Sequence, residues 1–478
     1  MRNYSGHGSS LRRFEWGLLL PPALRASGRS AVASGPSVGV TQVQRVASFT
    51  LAAVFATAPA LGAQAGSSIA RRVAAAPDGE VRVTYATRSN VCGDGRDGVS
   101  IGRSMYFATN VESYGGWSNM RCERGPARVT LTVDGHKVVS VRTRVAGTWP
   151  SASSDVTDLG TVSAADAAAY FLSLVPALDG GGRARHDPML AAAVADSVNI
   201  APEMLRLGRT TTLSRETRRR AIHWSGALGD ASMVAPLVEI ARSNAKSAGS
   251  SDDMGPGDGL EGAATAALSM IPNDAGLPAL TQLARDGSES VRKAAVFWLG
   301  QRDDEKSRAM VRSVAENDRE TDNVRKSAIF ALSQGESSKA DEAFLESLFN
   351  RVESEKLKDQ VLFSVSQRQT NDGVRWLLAK ARDEQQPIEV RRKAVFWAGQ
   401  GHASVADLKS LYTATSERRL REHVIFVLSQ RNEDAATNAL IEIARTDADR
   451  DMRKKALFWL AQKDDPRVTK MITDMVVK

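Results

Sequence analysis

The run Val291-Arg292-Lys293-Ala294-Ala295-Val296-Phe297-Trp298-Leu299-Gly300-Gln301 decides the fold. Variants of it return at residues 324–334, 357–367, 390–400, 420–430 and 452–462, so the closing Gln advances by 33, 33, 33, 30 and 32 residues. A weaker copy lies at 217–227, and a degenerate one at 260–270. A period of this length, with one helical supersecondary unit per repeat, predicts an α-solenoid. Plain amphipathic stretches fill the intervals, at 306–316, 340–351, 374–381, 405–413 and 435–445. Each repeat therefore reads as a first helix followed by a second helix that carries the motif.

With Val291 as position 0, positions 0, 3, 4, 7 and 8 share one helical face and are expected in the core. Small residues at 3 and 4 admit a close neighbour, and large ones at 7 and 8 fill the space beneath. Trp224, Trp298, Trp397 and Trp459 share position 7, where Ala331, Ser364 and Val427 stand in other repeats. That alternation suggests that adjacent repeats trade volume. Position 6 holds Phe297, Phe330, Phe363, Phe396, Phe426 and Phe458, with His223 in the early copy. It lies off the core face, so each ring must meet something else. Burial against the adjacent second helix is the favoured reading, because stacked repeats need apolar flanks. An apolar ridge for a partner along a concave face is the other, with Phe297, Phe330 and Phe396 as candidate contacts.

Position 1 is basic throughout: Arg218, Arg292, Arg325, Lys358, Arg391, Arg421 and Arg453. Bracing against acids of the preceding turn or next repeat (Glu289, Asp322, Glu355, Glu417, Asp449) is favoured. A guanidinium ladder that captures an acidic segment is the alternative, and makes Arg292, Arg325, Arg391, Arg421 and Arg453 candidate partner-binding residues.

The 478 residues, 42% apolar and 25% charged, suffice for more than one globular domain. The net charge of +8 invites a nucleic-acid reading, but residues 1–65 hold six Arg against one acid, leaving 57 basic and 54 acidic residues beyond them. So mixed a surface offers phosphate no strong field. Residues 46–61 are apolar, preceded by Arg45 and followed by Ala63-Gln64-Ala65, the pattern of a cleaved secretory signal peptide. Pro59 and the Ala/Thr content weigh against a permanent transmembrane helix. The long Gly/Ser/Arg/Pro-rich stretch before it suggests that translation starts near residues 38–43. The expected location is the periplasm or the exterior, with no membrane insertion after cleavage. Cys92 and Cys122 are the two cysteines, and an even count in an exported chain points to a disulfide rather than a thiol metal site or free thiols.

Residues 81–85 alternate as a half-buried strand, 101–107 read as another, and 128–145 read as a hairpin turned at Asp134-Gly135. Gly93-Asp94-Gly95-Arg96-Asp97-Gly98 spells G-x-G-x-x-G, yet a strand-like segment follows it where a dinucleotide site needs a helix N-terminus. Asp94 and Asp97 also fall short of a calcium loop. Residues 157–160 close the β segment, Ser163 caps a helix over 164–178, and Asp187-Pro188 opens the next. The organisation expected is a leader (1–65), a disulfide-bonded β-rich module (66–155), a linking helix with a Gly-rich linker (156–186) and a solenoid of about eight repeats (187–478). A mobile insertion is expected at 247–259. The fold class is mainly α, a solenoid preceded by a small antiparallel β-rich domain.

The period, the helix pairs and the V-R-x-x-A-x-x-x-L second helix resemble HEAT-like repeats of the phycobilisome-lyase type. The VFWLGQ form is similar to that of exported bacterial HEAT-repeat proteins with a cysteine-containing N-terminal segment; the Cys-Gly-Asp-Gly element and the Asp-Gly hairpin carry that likeness in residues 81–150. The resemblance implies a protein-binding scaffold. Neighbouring families include chromophore lyases and DNA glycosylases, but no catalytic motif of either is present. The six His (7, 136, 186, 223, 402, 423) lack metal spacing, and neither a nucleophile elbow nor a phosphate loop occurs. No catalytic, cofactor-binding or metal-ligating residue is assigned, and no cofactor is expected. The function expected is a non-enzymatic scaffold whose partner is another protein and not nucleic acid. The alternative is an enzyme or ligand-binding accessory with its site in the N-terminal β module, and a nucleic-acid-binding solenoid is the weakest reading.

Overall fold

The computed structural model describes residues 68–102, 104–107, 122–151, 155–180, 187–243, 257, 259–334, 339–463 and 465–476. The leader, the hypothesis on its start and most of the 247–259 insertion lie outside them. The chain divides into two compact units, Met1–Val198 and Asn199–Lys478.

In the first unit, α1 (Ser68–Ala74) precedes β1 (Gly79–Tyr85), β2 (Val91–Gly93), β3 (Gly98–Ile101), β4 (Ser104–Phe107), β5 (Ala127–Asp134), β6 (Lys137–Val145) and β7 (Val156–Thr161). A four-stranded sheet runs in the order β6-β5-β1-β7, and β2-β3-β4 form a second, smaller sheet. The predicted hairpin is β5–β6, its turn made by Gly135 and His136 at positive φ. β7 pairs in parallel with β1, so the larger sheet is mixed. The strand expected over 101–107 is instead divided at Gly102, whose φ of +61° turns β3 into β4.

Alternation decides the faces of the larger sheet. Val81, Val83 and Tyr85 with Val129, Leu131 and Val133 are buried on one side. Two helices, α2 (Ala164–Ser173) and α3 (Pro188–Ala193), supply cover. Phe171 of α2 lies 5.9 Å from the Tyr85 ring, and the Tyr85 hydroxyl donates to Ala191 O of α3 at 2.6 Å. The helix opened by Asp187-Pro188 therefore belongs to the β unit, where the sequence places it in the solenoid. All six of its residues are buried, which suits a plug on a sheet rather than one face of an amphipathic pair. Cys92 and Cys122 form a disulfide with Cα atoms 5.3 Å apart. The G-x-G-x-x-G letters form the β2–β3 turn, where Asp94 Oδ1 accepts the backbone N–H groups of Arg96 at 2.8 Å and Gly98 at 3.1 Å. β3 follows, not a helix.

The second unit is an array of helix pairs. The elements run α4 (Ala201–Arg209), α5 (Arg215–Ala227), α6 (Val234–Ser243), α7 (Leu260–Met270), α8 (Leu277–Asp286), α9 (Glu289–Gly300), α10 (Glu305–Glu316), α11 (Asp322–Ser333), α12 (Lys339–Arg351), α13 (Glu355–Gln367), α14 (Asn371–Arg382) and α15 (Ile388–Gln400). They continue with α16 (Val405–Ala414), α17 (Arg418–Ser429), α18 (Asp434–Thr446), α19 (Arg450–Leu460) and α20 (Pro466–Val476). Odd-numbered helices from α5 to α19 are the second helices. Ser288 and Thr321 cap two of them by accepting the N–H of the position 0 residues Val291 and Val324.

The buried arc of a second helix is wider than one stripe. Position 5, off the predicted face, holds Val296, Ile329, Leu362, Val395 and Ile425, all 0% exposed. The reason is a third neighbour: from α7 to α17 each second helix packs on its own first helix and on the second helices before and after it. Position 7 is buried at Trp224, Ala331, Ser364 and Val427, whereas the larger Trp298, Trp397 and Trp459 are half-buried. Position 9 of one repeat packs closely on position 7 of the next. A Cβ on Gly300 would lie 2.4 Å from Ala331 Cβ, one on Gly226 2.3 Å from Ala267 O, and one on Gly399 2.3 Å from Val427 Cγ1.

Two stability outcomes follow. Gly300→Ala gains helix propensity but overpacks the junction, for a net loss of about 1–2 kcal/mol. In urea titrations Ala331→Gly should recover part of the loss; an unchanged or raised midpoint in Gly300→Ala refutes the contact. Replacing Cys92 and Cys122 with Ser should destabilise the β unit by about 3–4 kcal/mol. Melting with and without reductant checks it, since reductant must affect the parent and not the variant.

Candidate partner-binding surface

Most of the basic residues at position 1 turn onto the end of their own repeat's first helix, and Arg292, Lys358 and Arg421 also reach the next repeat. The guanidinium Nε donates to the last carbonyls of the preceding first helix: Arg218 to Gly208 O at 3.0 Å, Arg325 to Ala315 O at 3.1 Å and Arg391 to Ala381 O at 3.0 Å. Arg292 reaches Gly287 O at 2.7 Å, and Arg453 reaches Asp447 O at 2.5 Å and Ala448 O at 3.1 Å. These are helix C-terminal capping contacts, where orphan carbonyls and the negative end of the macrodipole attract a cation. Arg421 instead meets the Tyr412 hydroxyl at 3.0 Å and the Asp447 carboxylate at 2.5 Å, with its guanidinium over the Tyr412 ring. Lys358 donates to Gln386 Oε1 at 3.1 Å.

The acids expected as partners serve other ends. Glu289 accepts from Asn323 at 2.9 Å, Asp322 accepts from Ser354 at 2.8 Å, and Glu417 and Asp449 cap α17 and α19; Glu355 is exposed. Among the described residues, Arg292 alone of this row adds a bidentate carboxylate, Glu320, with both bonds at 2.8 Å. Burial works against the Glu320 charge, yet Arg292 and the Thr321 N–H hold its carboxyl below the usual range. A second basic row at position 11, unmarked in the motif, joins repeat to repeat. Arg368 donates to Leu332 O at 2.9 Å, Arg431 to Ala403 O at 2.5 Å and Lys463 to Arg431 O at 2.7 Å.

The rings at position 6 stack along the array. Phe297 and Phe330 lie 6.4 Å apart and Phe330 and Phe363 6.2 Å apart, both pairs nearly parallel. Phe363 then meets the edge of Trp397 at 4.8 Å, and Phe396 meets the same indole at 4.9 Å. Phe297 is buried, whereas Phe330 and Phe396 are half-buried. Toward the last repeat the column opens. Phe458 is 60% exposed, with Trp459 edge-on at 5.2 Å.

Beside that opening a groove of about 440 Å³ crosses three second helices, α15, α17 and α19. Phe426 forms its apolar wall, 5.4 Å from Trp459 and 5.5 Å from the His423 ring. Two ion pairs give it a mixed rim, Arg392–Glu389 at 2.9 Å and Lys455–Glu422 at 3.6 Å. Burial first, and then Arg392, push the His423 pKa down to about 4, so the imidazole is neutral near pH 7. It offers hydrogen bonding and a ring face rather than charge. The sequence did carry a signal for this groove: position 3 changes from Ala294 and Ser327 to Gln360, Lys393, His423 and Lys455. Gln360 is still buried, but the half-buried Lys393, His423 and Lys455 mark a face turned outward in the last three repeats.

Among the described residues no group of three or more His, Cys, Asp or Glu is placed to hold a metal ion, and no helix is long and apolar enough to cross a membrane.

Residues 262–364 match the HEAT-repeat family profile. That stretch carries HEAT repeats. Among solved structures it is similar to human deoxyhypusine hydroxylase in complex with glycerol, at 16% identity over 55% of this chain and 96% of that chain, with a TM-score of 0.23. A likeness at that score carries no argument about chemistry. No curated protein matches.

The two neighbouring arginines of α15 separate capping from surface charge. Arg391 is buried, and Arg391→Ala should cost about 1–3 kcal/mol by orphaning a helix-end carbonyl. Arg392 is paired at the surface, and Arg392→Ala should stay within about 0.5 kcal/mol. Equal urea midpoints for the two variants would contradict the capping role.

Proposed function

We propose that the protein is a non-enzymatic scaffold of the periplasm or cell envelope, which holds another protein along the second helices of its last repeats. HEAT repeats generally mediate protein–protein contacts, and stacked repeats offer extended surfaces for them. The observation that carries the reading is the change along the aromatic column. It is closed by ring-on-ring packing from Phe297 to Phe363 and open at Phe458, next to the groove of Phe426, His423 and Trp459. An exposed aromatic anchor rimmed by paired charges is the usual composition of a binding hot spot. The inward-turned arginines leave this aromatic face as the better candidate than an arginine ladder.

Export is supported by the signal-like residues 46–65 and by the Cys92–Cys122 bridge, since disulfides persist in oxidising compartments. A photoreactive side chain at Phe458, compared with one at exposed Thr413 of α16, tests the surface in the native host. An adduct of one defined mass from position 458 and none from 413 is expected, together with a mature N-terminus just after Ala63 or Ala65. Phe458→Ala should weaken association with the crosslinked protein by on the order of 2 kcal/mol. Equal crosslinking at both positions would sink the assignment of the surface.

A further inference from the structure

The larger sheet of the N-terminal unit has a second face, away from Val81, Val83 and Tyr85. The register sets Arg82, Thr130 and Arg142 side by side on β1, β5 and β6, and sets Thr84, Arg128 and Arg144 in the next row of the same face. Four guanidinium groups thus share one small area. Like charges directly opposite on paired strands are destabilising. Arg82 and Arg128 are nevertheless 5% and 3% exposed, beneath Trp149, whose ring lies 5.0 Å and 5.3 Å from their guanidinium carbons. The Trp149 Nε1 donates to Thr84 Oγ1 at 3.0 Å and fixes the indole there.

Among the described residues, the carboxylates paired to these arginines are fewer than the arginines. Glu80 accepts from Arg82 at 2.7 Å. Asp97, in the β2–β3 turn, accepts from Arg142 with both oxygens, at 2.8 and 2.5 Å, which leaves one Arg142 nitrogen uncommitted to it, and stands 3.8 Å from Arg144. Arg128 meets backbone carbonyls instead, Ala146 O and Gly95 O at 2.7 Å each, with Thr148 O as a third. Burial, and then the nearby Arg144 and Arg82, push the Arg128 pKa down, as expected of a cation short of counter-charge. Between the Arg82 and Arg142 strands the Thr130 hydroxyl is buried without a hydrogen-bond partner among the described residues. Arg142 and Arg144, with side chains 36% and 21% exposed, form the open side.

We propose that this face binds a phosphoryl-class oxyanion, with Arg144 and Arg142 as its principal ligands and the Thr130 hydroxyl as a further donor. Guanidinium groups match the oxygens of a doubly charged oxyanion in pairs, and such an ion would offset the local excess of positive charge. The free ion and a phosphomonoester present the same chemistry. The site is independent of the scaffold surface in the repeats, so either assignment can fail without the other.

Calorimetric titration of the whole mature chain at fixed ionic strength tests the site, with inorganic phosphate and glycerol 1-phosphate as titrants and chloride as the matched control. Saturable single-site binding of at least one phosphate species is expected. Binding of phosphate alone assigns the free ion, and binding of the ester alone assigns a phosphomonoester. Arg144→Gln, confirmed as folded by circular dichroism, should weaken binding tenfold or more. Asp97→Asn removes the competing carboxylate and should tighten it, which keeps the test decisive should Arg144→Gln fail to fold. Absence of saturable heat with both titrants, unchanged affinity in folded Arg144→Gln, or no gain in Asp97→Asn overturns the site.

Discussion

From α7 to α17 each second helix of the array is enclosed by its own first helix and by the second helices before and after it. That three-sided burial sets the residues of the motif. It requires apolar side chains at positions 0, 4, 5 and 8, and it confines variation to the edges of the arc. Where helices approach most closely, at Gly226, Gly300 and Gly399, a single extra carbon would collide with position 7 of the next repeat. A column of this kind tolerates exchange of volume between neighbours better than a change in one repeat alone. Stability is then carried by nearest-neighbour interfaces, as expected of a quasi-one-dimensional fold.

Helix ends inside such an array would leave carbonyl groups without partners, and the two basic rows answer that constraint. Position 1 satisfies the end of the first helix within a repeat, as Arg391 does at Ala381 O. Position 11 reaches back to the preceding repeat, as Arg368 does at Leu332 O. The positive residues of the motif are therefore largely structural, and the face left for recognition is aromatic with paired charges. Phe458 and Trp459 mark where that face is least covered.

The N-terminal unit solves a different problem. Its sheet is small, and one side is closed by α2 and α3 through Phe171 and the Tyr85–Ala191 hydrogen bond. The other side gathers four arginines, two of them under Trp149, with two carboxylates paired to them among the described residues. Burying cations beside one another opposes folding unless hydrogen bonds compensate. Arg128 obtains that compensation from carbonyls, which satisfy its donors and leave its charge unneutralised.

The repeat period, the helix pairs, the β5–β6 hairpin and the pairing of Cys92 with Cys122 were legible in the sequence, because each follows from local periodicity, turn chemistry or a count of two thiols. Tertiary structure decided the rest. Position 5 is buried because a third helix arrives from the next repeat, which a single helical wheel does not contain. Of the position 1 arginines, Arg218, Arg325, Arg391 and Arg453 face carbonyls because the loop places a helix end within their reach, whereas Arg292 and Arg421 also brace against an acid of the next repeat. α3 reads as the start of the array, yet it covers the sheet, since its all-apolar surface fits a two-dimensional face. Arg82, Arg128, Arg142 and Arg144 become neighbours through strand register alone, and register is fixed by the buried face on the opposite side of the sheet.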